Sequence, residues 1–250
     1  MGPNSAELAG KTALVTGAAK RIGQATALAL AADGANVIVH YNTSAKQAEQ
    51  LAHSILQAGT KAWALQADLG DPAQAQGLLQ RAVQQAGPVD ILINNASIFP
   101  PSRLTDFTAD ELAESINVNA LAPLLIGRAF AAQRRPGVIV NFLDCRIGDY
   151  DRSHAAYHLS KRMLFSLTRM MALEFAPAVR VNAVAPGLIL PPPGQDESFL
   201  QRLASTNPLH RHGGVADVAE AVRFLIRSEF VTGQVIYVDG GRHMKGAMYG

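Results

Sequence analysis

Thr12-Ala-Leu-Val-Thr16-Gly17-Ala-Ala-Lys20-Arg21-Ile22-Gly23 decides the fold. Thr12 to Thr16 is a short, apolar, β-branched run that reads as a buried strand. The glycine turn opens at once onto residues 24–32, an alanine-rich stretch that reads as a helix. A strand feeding a helix through a glycine turn suits a dinucleotide. The glycines let the backbone come close, and the helix N-terminus offers free N–H groups to a pyrophosphate. The spacing is not G-x-G-x-x-G, and a tight turn without ligand has the same local sequence.

Outward from that unit the pattern repeats. Apolar runs at residues 36–40, 62–66, 90–94, 138–143, 180–185 and 234–238 read as further strands. Helical stretches at about residues 45–58, 72–86, 109–133, 155–175 and 216–226 separate them. Pro123 interrupts the third of these, with Asn119 one turn earlier, where a polar group can repair the irregularity or hold a water. The alternation predicts an α/β fold: one Rossmann-type, doubly wound sheet of about seven parallel strands with helices on both faces. The whole chain, residues 1–250, reads as one unit without repeat or linker. Only residues 187–209 lack periodicity; with their prolines and glycines they read as a loop or lid over a site.

Composition narrows the function. Apolar residues make up 48% and charged residues 17% of the 250, as expected for a globular protein with a large core. The formal charge of +2 is too small to argue for nucleic acid. No apolar run is long enough to cross a bilayer. Residues 1–7 lack the basic and apolar regions of a signal peptide. The single cysteine, Cys145, excludes an internal disulfide and fits a reducing cytoplasm. The seven histidines show no metal-ligand spacing, so no metal site is expected.

Chemistry gathers at the ends of the strands. The second strand ends at His40, followed by Tyr41, Asn42, Thr43 and Ser44, none acidic. An acidic residue here would bind a ribose 2′-hydroxyl and repel a 2′-phosphate. Its absence, with Lys20 and Arg21 close by, predicts NADP rather than NAD. Ser44 also stands where it can cap the next helix. Asp68 follows the third strand, where a carboxylate either accepts from an adenine amino group or serves a turn. Asn94 to Pro101 leave the sheet at its carboxyl edge, the ligand-binding edge of such sheets. Tyr157 and Lys161 stand four apart at the head of a helix, so phenol and ammonium share a face. A nearby cation favours phenolate and draws a tyrosine's pKa down from about 10.

Across nearly its whole length the chain resembles the short-chain dehydrogenase/reductase family. The matching pieces are Thr16-Gly17…Gly23, Asn94-Asn95-Ala96, Asn119, Tyr157…Lys161, Pro186-Gly187 and Val238-Asp239-Gly240-Gly241, in order and at the right spacing. The resemblance implies nicotinamide hydride transfer in the cytoplasm by a homotetramer. It makes Tyr157 the proton donor, Lys161 the ligand of the nicotinamide ribose and Asn119 the holder of a relay water. The cofactor would meet Gly17, Lys20, Arg21, Ile22 and Gly23, then His40, Tyr41, Asn42 and Ser44. Further along it would meet Asp68, Leu69, Asn95, Ala96 and Ser97, and finally Pro186, Gly187 and Leu188.

Three departures resemble the pteridine reductase and dihydromonapterin reductase branch. Arg21 replaces a glycine of the usual turn, Asp144 stands thirteen residues before Tyr157 in place of a serine, and Phe99 follows Asn-Asn-Ala-Ser. His40, Tyr41 and Ser44 match that branch, whose arginine in this segment is Thr43 here. The branch implies reduction of a pterin C=N bond, with Asp144 and Tyr157 handling the proton. Arg21, Ser97, Phe99 and Leu190 would line the substrate site, with Phe99 stacking on the ring. An ionised Asp144 would raise the tyrosine pKa, opposing Lys161. Phe99 is otherwise a core residue and Asp144 a turn residue. Cys145 is expected to pack quietly, and His154 and His158 need no catalytic role. Two other functions stay open: an NADPH-dependent carbonyl reductase of 3-oxoacyl thioesters or small ketones, and a catalytically silent NADP-binding sensor. The missing serine argues against the first, and intact Asn119, Tyr157 and Lys161 against the second.

Overall fold

The computed structural model describes residues 7–245, so the N-terminal segment judged for a leader lies almost wholly outside the described residues. Seven parallel strands form one sheet in the order β3-β2-β1-β4-β5-β6-β7. They are β1 (Thr12–Val15), β2 (Asn36–Tyr41), β3 (Ala62–Gln66), β4 (Ile91–Asn94), β5 (Gly137–Phe142), β6 (Val179–Pro186) and β7 (Val235–Val238). The helices between them are α1 (Arg21–Ala32), α2 (Ala45–Gln57), α3 (Pro72–Ala86), α4 (Ala109–Ile116), α5 (Ala122–Ala131), α6 (Ala155–Glu174), α7 (Glu197–Leu203) and α8 (Val215–Arg227).

Side chains alternate across the sheet and feed two cores. Val15, Val37, Val39, Ile91 and Ile93 pack under Leu30, Leu51 and Val222 of α1, α2 and α8. Leu14, Ile38, Leu92 and Ile139 point the other way, toward Leu78, Ile126 and Met171 of α3, α5 and α6. Burial on both faces is why the strands read as unbroken apolar runs. The chain winds outward from β1 to β3, returns to place β4 beside β1, and then winds the other way. That reversal opens a crevice beyond the carboxyl ends of β1 and β4.

Two segments differ from the sequence reading. The single helix expected over residues 109–133 is broken at Asn117–Leu121, which forms a π-helical turn between α4 and α5. Pro123, in the first turn of α5, has no N–H for an ordinary helical bond back to Asn119, and the wider turn accommodates that loss. Residues 187–209 are not loop throughout, since α7 lies within them. Asp196 caps it by accepting from the Ser198 amide at 2.9 Å, and Leu200 is buried. The stretch is short and flanked by prolines, which hid the period.

His40 ties three strand ends together. Its Nδ1 accepts from the Gly17 amide at 3.0 Å, and its Nε2 donates to the Ala67 carbonyl at 3.1 Å. The ring is buried, and burial pushes its pKa down from 6.5 to about 4. The unfolded chain takes up this proton near the ordinary value, whereas the folded chain waits until about pH 4. Folding stability is therefore expected to fall as pH drops from 6.5 to about 4, by about 3 kcal/mol from this group alone. Urea unfolding across that window, in the parent and in His40→Gln, measures it; identical slopes in the two proteins would remove His40 as the cause.

Candidate active site

The first wall of the site is the turn after β1. Gly17 has φ +61, and a Cβ there would lie 2.9 Å from the Ala96 backbone. At Gly23 a Cβ would lie 2.3 Å from the Gly17 carbonyl oxygen, so only glycine lets the turn close. Asn95 braces it, donating to the Thr16 carbonyl at 2.8 Å and to the Gly17 carbonyl at 3.1 Å. Arg21, which replaces a family glycine, keeps the left-handed backbone (φ 57), costing about 1–2 kcal/mol. Its guanidinium donates to the Pro191 carbonyl at 2.8 Å, joining the turn to the segment after β6.

A cleft of about 430 Å³ runs from this turn along the strand ends, lined among others by Gly17, Lys20, Arg21, Ile22 and Gly23, by Tyr41, Asn42 and Ser44, and by Asp68, Leu69, Ala96 and Ser97. Neither α1 nor α2 has a side-chain cap at its N-terminus. The helix-capping role weighed for Ser44 is thus not taken up. Free helix amides, two cations and a hydroxyl make a donor set that fits a phosphorylated nucleotide. His40 lines the cleft as well, but both its nitrogens are engaged within the protein. Asp68 does the turn's work, accepting from the Gly70 amide at 2.9 Å, and also meets Asn42 at 3.3 Å.

The second wall is built on α6. Tyr157 Oη donates to Asp144 Oδ2 at 2.9 Å, while Asp144 Oδ1 accepts from the Arg146 amide at 2.8 Å. Lys161 Nζ donates to the Phe142 carbonyl at 2.7 Å and lies 5.7 Å from the centre of the Tyr157 ring. Burial lowers the Lys161 pKa to about 8, opposed by Asp144. Burial also raises Tyr157 well above 10, and Asp144 adds to the rise through its charge and its hydrogen bond. The phenol is thus held protonated. The pull toward neutrality expected from Lys161 is outweighed, because the phenol is desolvated and touches the carboxylate while the ammonium bonds elsewhere.

Asn119 sits in the π-helical turn, and its side chain is fully committed. It accepts from the Ile98 amide at 2.9 Å and from Ser97 Oγ at 3.0 Å, and donates to the Ile98 carbonyl and to Ser160 Oγ at 3.0 Å each. Its carboxamide therefore joins the loop after β4 to α6. Phe99 is 52% exposed, so it is not core. It stands edge-on to Tyr157, ring centres 4.5 Å apart.

Other expected residues lie elsewhere. Leu188 is buried and lines a separate cleft with Asn207 and Tyr237. Leu190 packs partly against the core under α8. Gly187 lets β6 pass β7, since a Cβ there would lie 2.6 Å from that of Asp239; Pro186 ends β6 just before it. Cys145 is buried, and burial lifts its thiol to about 12, which leaves it inert.

Two residues of this wall escaped the sequence reading. Ser102 accepts from Ala155 N through its carbonyl at 2.8 Å and from Ala156 N through Oγ at 3.1 Å, capping α6 from another loop. Asp151 meets His154 Nδ1 at 2.7 Å and His158 Nε2 at 3.1 Å. Burial pushes the Asp151 carboxyl up, but the hydrogen bonds from both histidines win and hold it at about 2. The Asp-x-x-His-x-x-x-His spacing carried that second signal; nothing local announced the first.

The family model described as enoyl-(acyl carrier protein) reductase matches residues 17–243. Versicolorin reductase 1 of Aspergillus parasiticus is 36% identical, covering 94% of this chain and 97% of its own. The 3-oxoacyl-(acyl-carrier-protein) reductase FabG of Staphylococcus aureus is 32% identical, covering 94% and 98%. The crystal structure of FolM alternative dihydrofolate reductase 1 from Brucella canis, complexed with NADP, superposes with a TM-score of 0.90 at 33% identity, covering 95% of this chain and 96% of that one. With the sheet order, the glycine turn and the Tyr157–Lys161 helix all agreeing with these matches, the chain belongs to the short-chain dehydrogenase/reductase family.

Proposed function

We propose that this protein reduces a ring C=N bond of a dihydropterin to give the tetrahydropterin. Family membership makes it an NADP-dependent oxidoreductase, and solved relatives carry NADP or NADPH. The observation that carries the pterin reading is the 2.9 Å hydrogen bond from Tyr157 to Asp144, a carboxylate where a carbonyl-reducing site needs a neutral donor.

NADPH, when bound, supplies the hydride to the ring carbon. As it arrives, the C=N electron pair moves onto nitrogen, which needs a proton. Tyr157 is protonated at working pH and gives that proton. A phenolate beside Asp144 is costly, so the carboxyl group serves to reload it from solvent. One hydride and one proton enter, and one C–H and one N–H bond form. Lys161 would hold the nicotinamide ribose, its ammonium 5.7 Å from the centre of the Tyr157 ring. Phe99, half exposed, offers a flat apolar face to the heterocycle. The FolM likeness supports the same reading.

A second reading, reduction of a ketone or 3-oxoacyl thioester, is favoured by the names of the versicolorin and 3-oxoacyl reductases. The loss of NADPH absorbance with 7,8-dihydromonapterin, dihydrobiopterin and dihydrofolate, beside an acetoacetyl thioester, separates the two. Turnover of pterins alone is expected; turnover of the thioester alone would reverse the assignment.

Asp144→Ser is expected to lower kcat on the pterin by about a hundredfold or more while NADPH binding is retained. Full pterin turnover in that variant would end the role given to Asp144. Lys161 carries its charge below about pH 8 and loses it above. The kcat on a dihydropterin should accordingly decline as pH rises through about 8, and a profile flat across that range would show that the ammonium charge is not needed.

A further inference from the structure

We infer that His154 is a positioning residue for a planar substrate ring: clamped by Asp151, it stacks on Phe99 and fixes that ring as a platform beside Tyr157. The inference rests on the pterin reading above and adds to it the residue that orients the platform.

The two rings lie nearly parallel, 15° apart in plane, with centres 3.7 Å apart. That contact covers one part of Phe99, yet the residue keeps 52% of its surface open. A planar ligand has this open part to cover. His154 itself has little freedom. Its Nδ1 is 2.7 Å from Asp151 Oδ1, and the same oxygen accepts from the Ser153 amide at 2.9 Å. The other Asp151 oxygen is held by His158 at 3.1 Å. His158 is buried next to Tyr157, so the clamp is anchored in the catalytic helix.

The platform loop is fastened to the same helix. Ser102, three residues beyond Phe99, caps α6 at the Ala155 and Ala156 amides and donates its own amide to the Ser153 carbonyl. Phe99 therefore reaches Tyr157 through two joints. Ser102 holds the backbone and His154 holds the ring. Without the second joint a half-exposed phenylalanine would sample other rotamers, and substrate binding would have to order it. An aromatic ring is what the stack requires, and the polar edge of histidine lets the same ring also reach the carboxylate.

The test is steady-state kinetics with NADPH and 7,8-dihydromonapterin in the parent, His154→Gln and His154→Phe. Gln keeps a group that bonds Asp151 but loses the stack; Phe keeps the stack but loses the bond. Gln is expected to raise the pterin KM by about tenfold, the size of one aromatic pair, with kcat and NADPH affinity little changed. Phe should restore most of that KM. A purely structural role would lower kcat, NADPH affinity and melting temperature together in both variants, and that result overturns the inference. So does a Gln variant with the parent's KM, or a Phe variant no better than Gln. A parent without any pterin turnover overturns the pterin reading and this inference with it. A parent active on pterins with an unchanged Gln variant overturns this inference alone.

Discussion

The start of α6 is the joint on which the catalytic end of the molecule depends. A helix begins with unpaired amides, and here Ser102 satisfies two of them from a loop 54 residues earlier in the chain. Because that loop also carries Phe99, the same bonds that begin the helix locate the aromatic ring. In the same first turn Tyr157 meets Asp144, just past the end of β5, and one turn further Lys161 reaches back to the Phe142 carbonyl. Asn119 closes the ring of contacts by binding both the loop after β4 and Ser160 of α6. Elements far apart in sequence are thereby held within hydrogen-bond distance of one another.

Burial sets the electrical character of that joint. It lowers Lys161 and raises Tyr157, so each moves toward its neutral form. The carboxylate in contact with the phenol reinforces the second shift. A tyrosine so placed is a poor base and a reluctant acid, useful only when a developing negative charge on the substrate draws the proton. Nitrogen of a C=N bond acquires such charge as hydride arrives. Under the proposed C=N reduction, proton supply would matter more than the polarisation of an oxygen that a serine hydroxyl provides.

Two backbone irregularities stand where the two walls approach. Arg21 keeps a backbone conformation that favours glycine, and its guanidinium spans to Pro191. The π-helical turn in the α4–α5 helix places Asn119 at the loop after β4. Both irregularities lie at the site, and the surrounding sheet is regular, with every strand parallel and both faces covered.

By itself the sequence determined the alternation of strands and helices, the doubly wound sheet, the glycine turn and the Tyr157–Lys161 face. Those follow from periods of two and 3.6 residues and from glycine's tolerance of positive φ, all local properties. It also marked Asp144, Arg21 and Phe99 as departures worth following. Only the tertiary structure decided that α6 is capped by Ser102, that His40 spends both nitrogens inside the protein, and that residues 187–209 hold a helix. It also placed Leu188 on another cleft and turned Asp151, His154 and Phe99 into one stacked unit. The reason is physical. A hydrogen bond between Arg21 and Pro191, 170 residues apart, or a pKa set by burial, depends on which surfaces meet after the chain has closed, and no local pattern encodes that meeting.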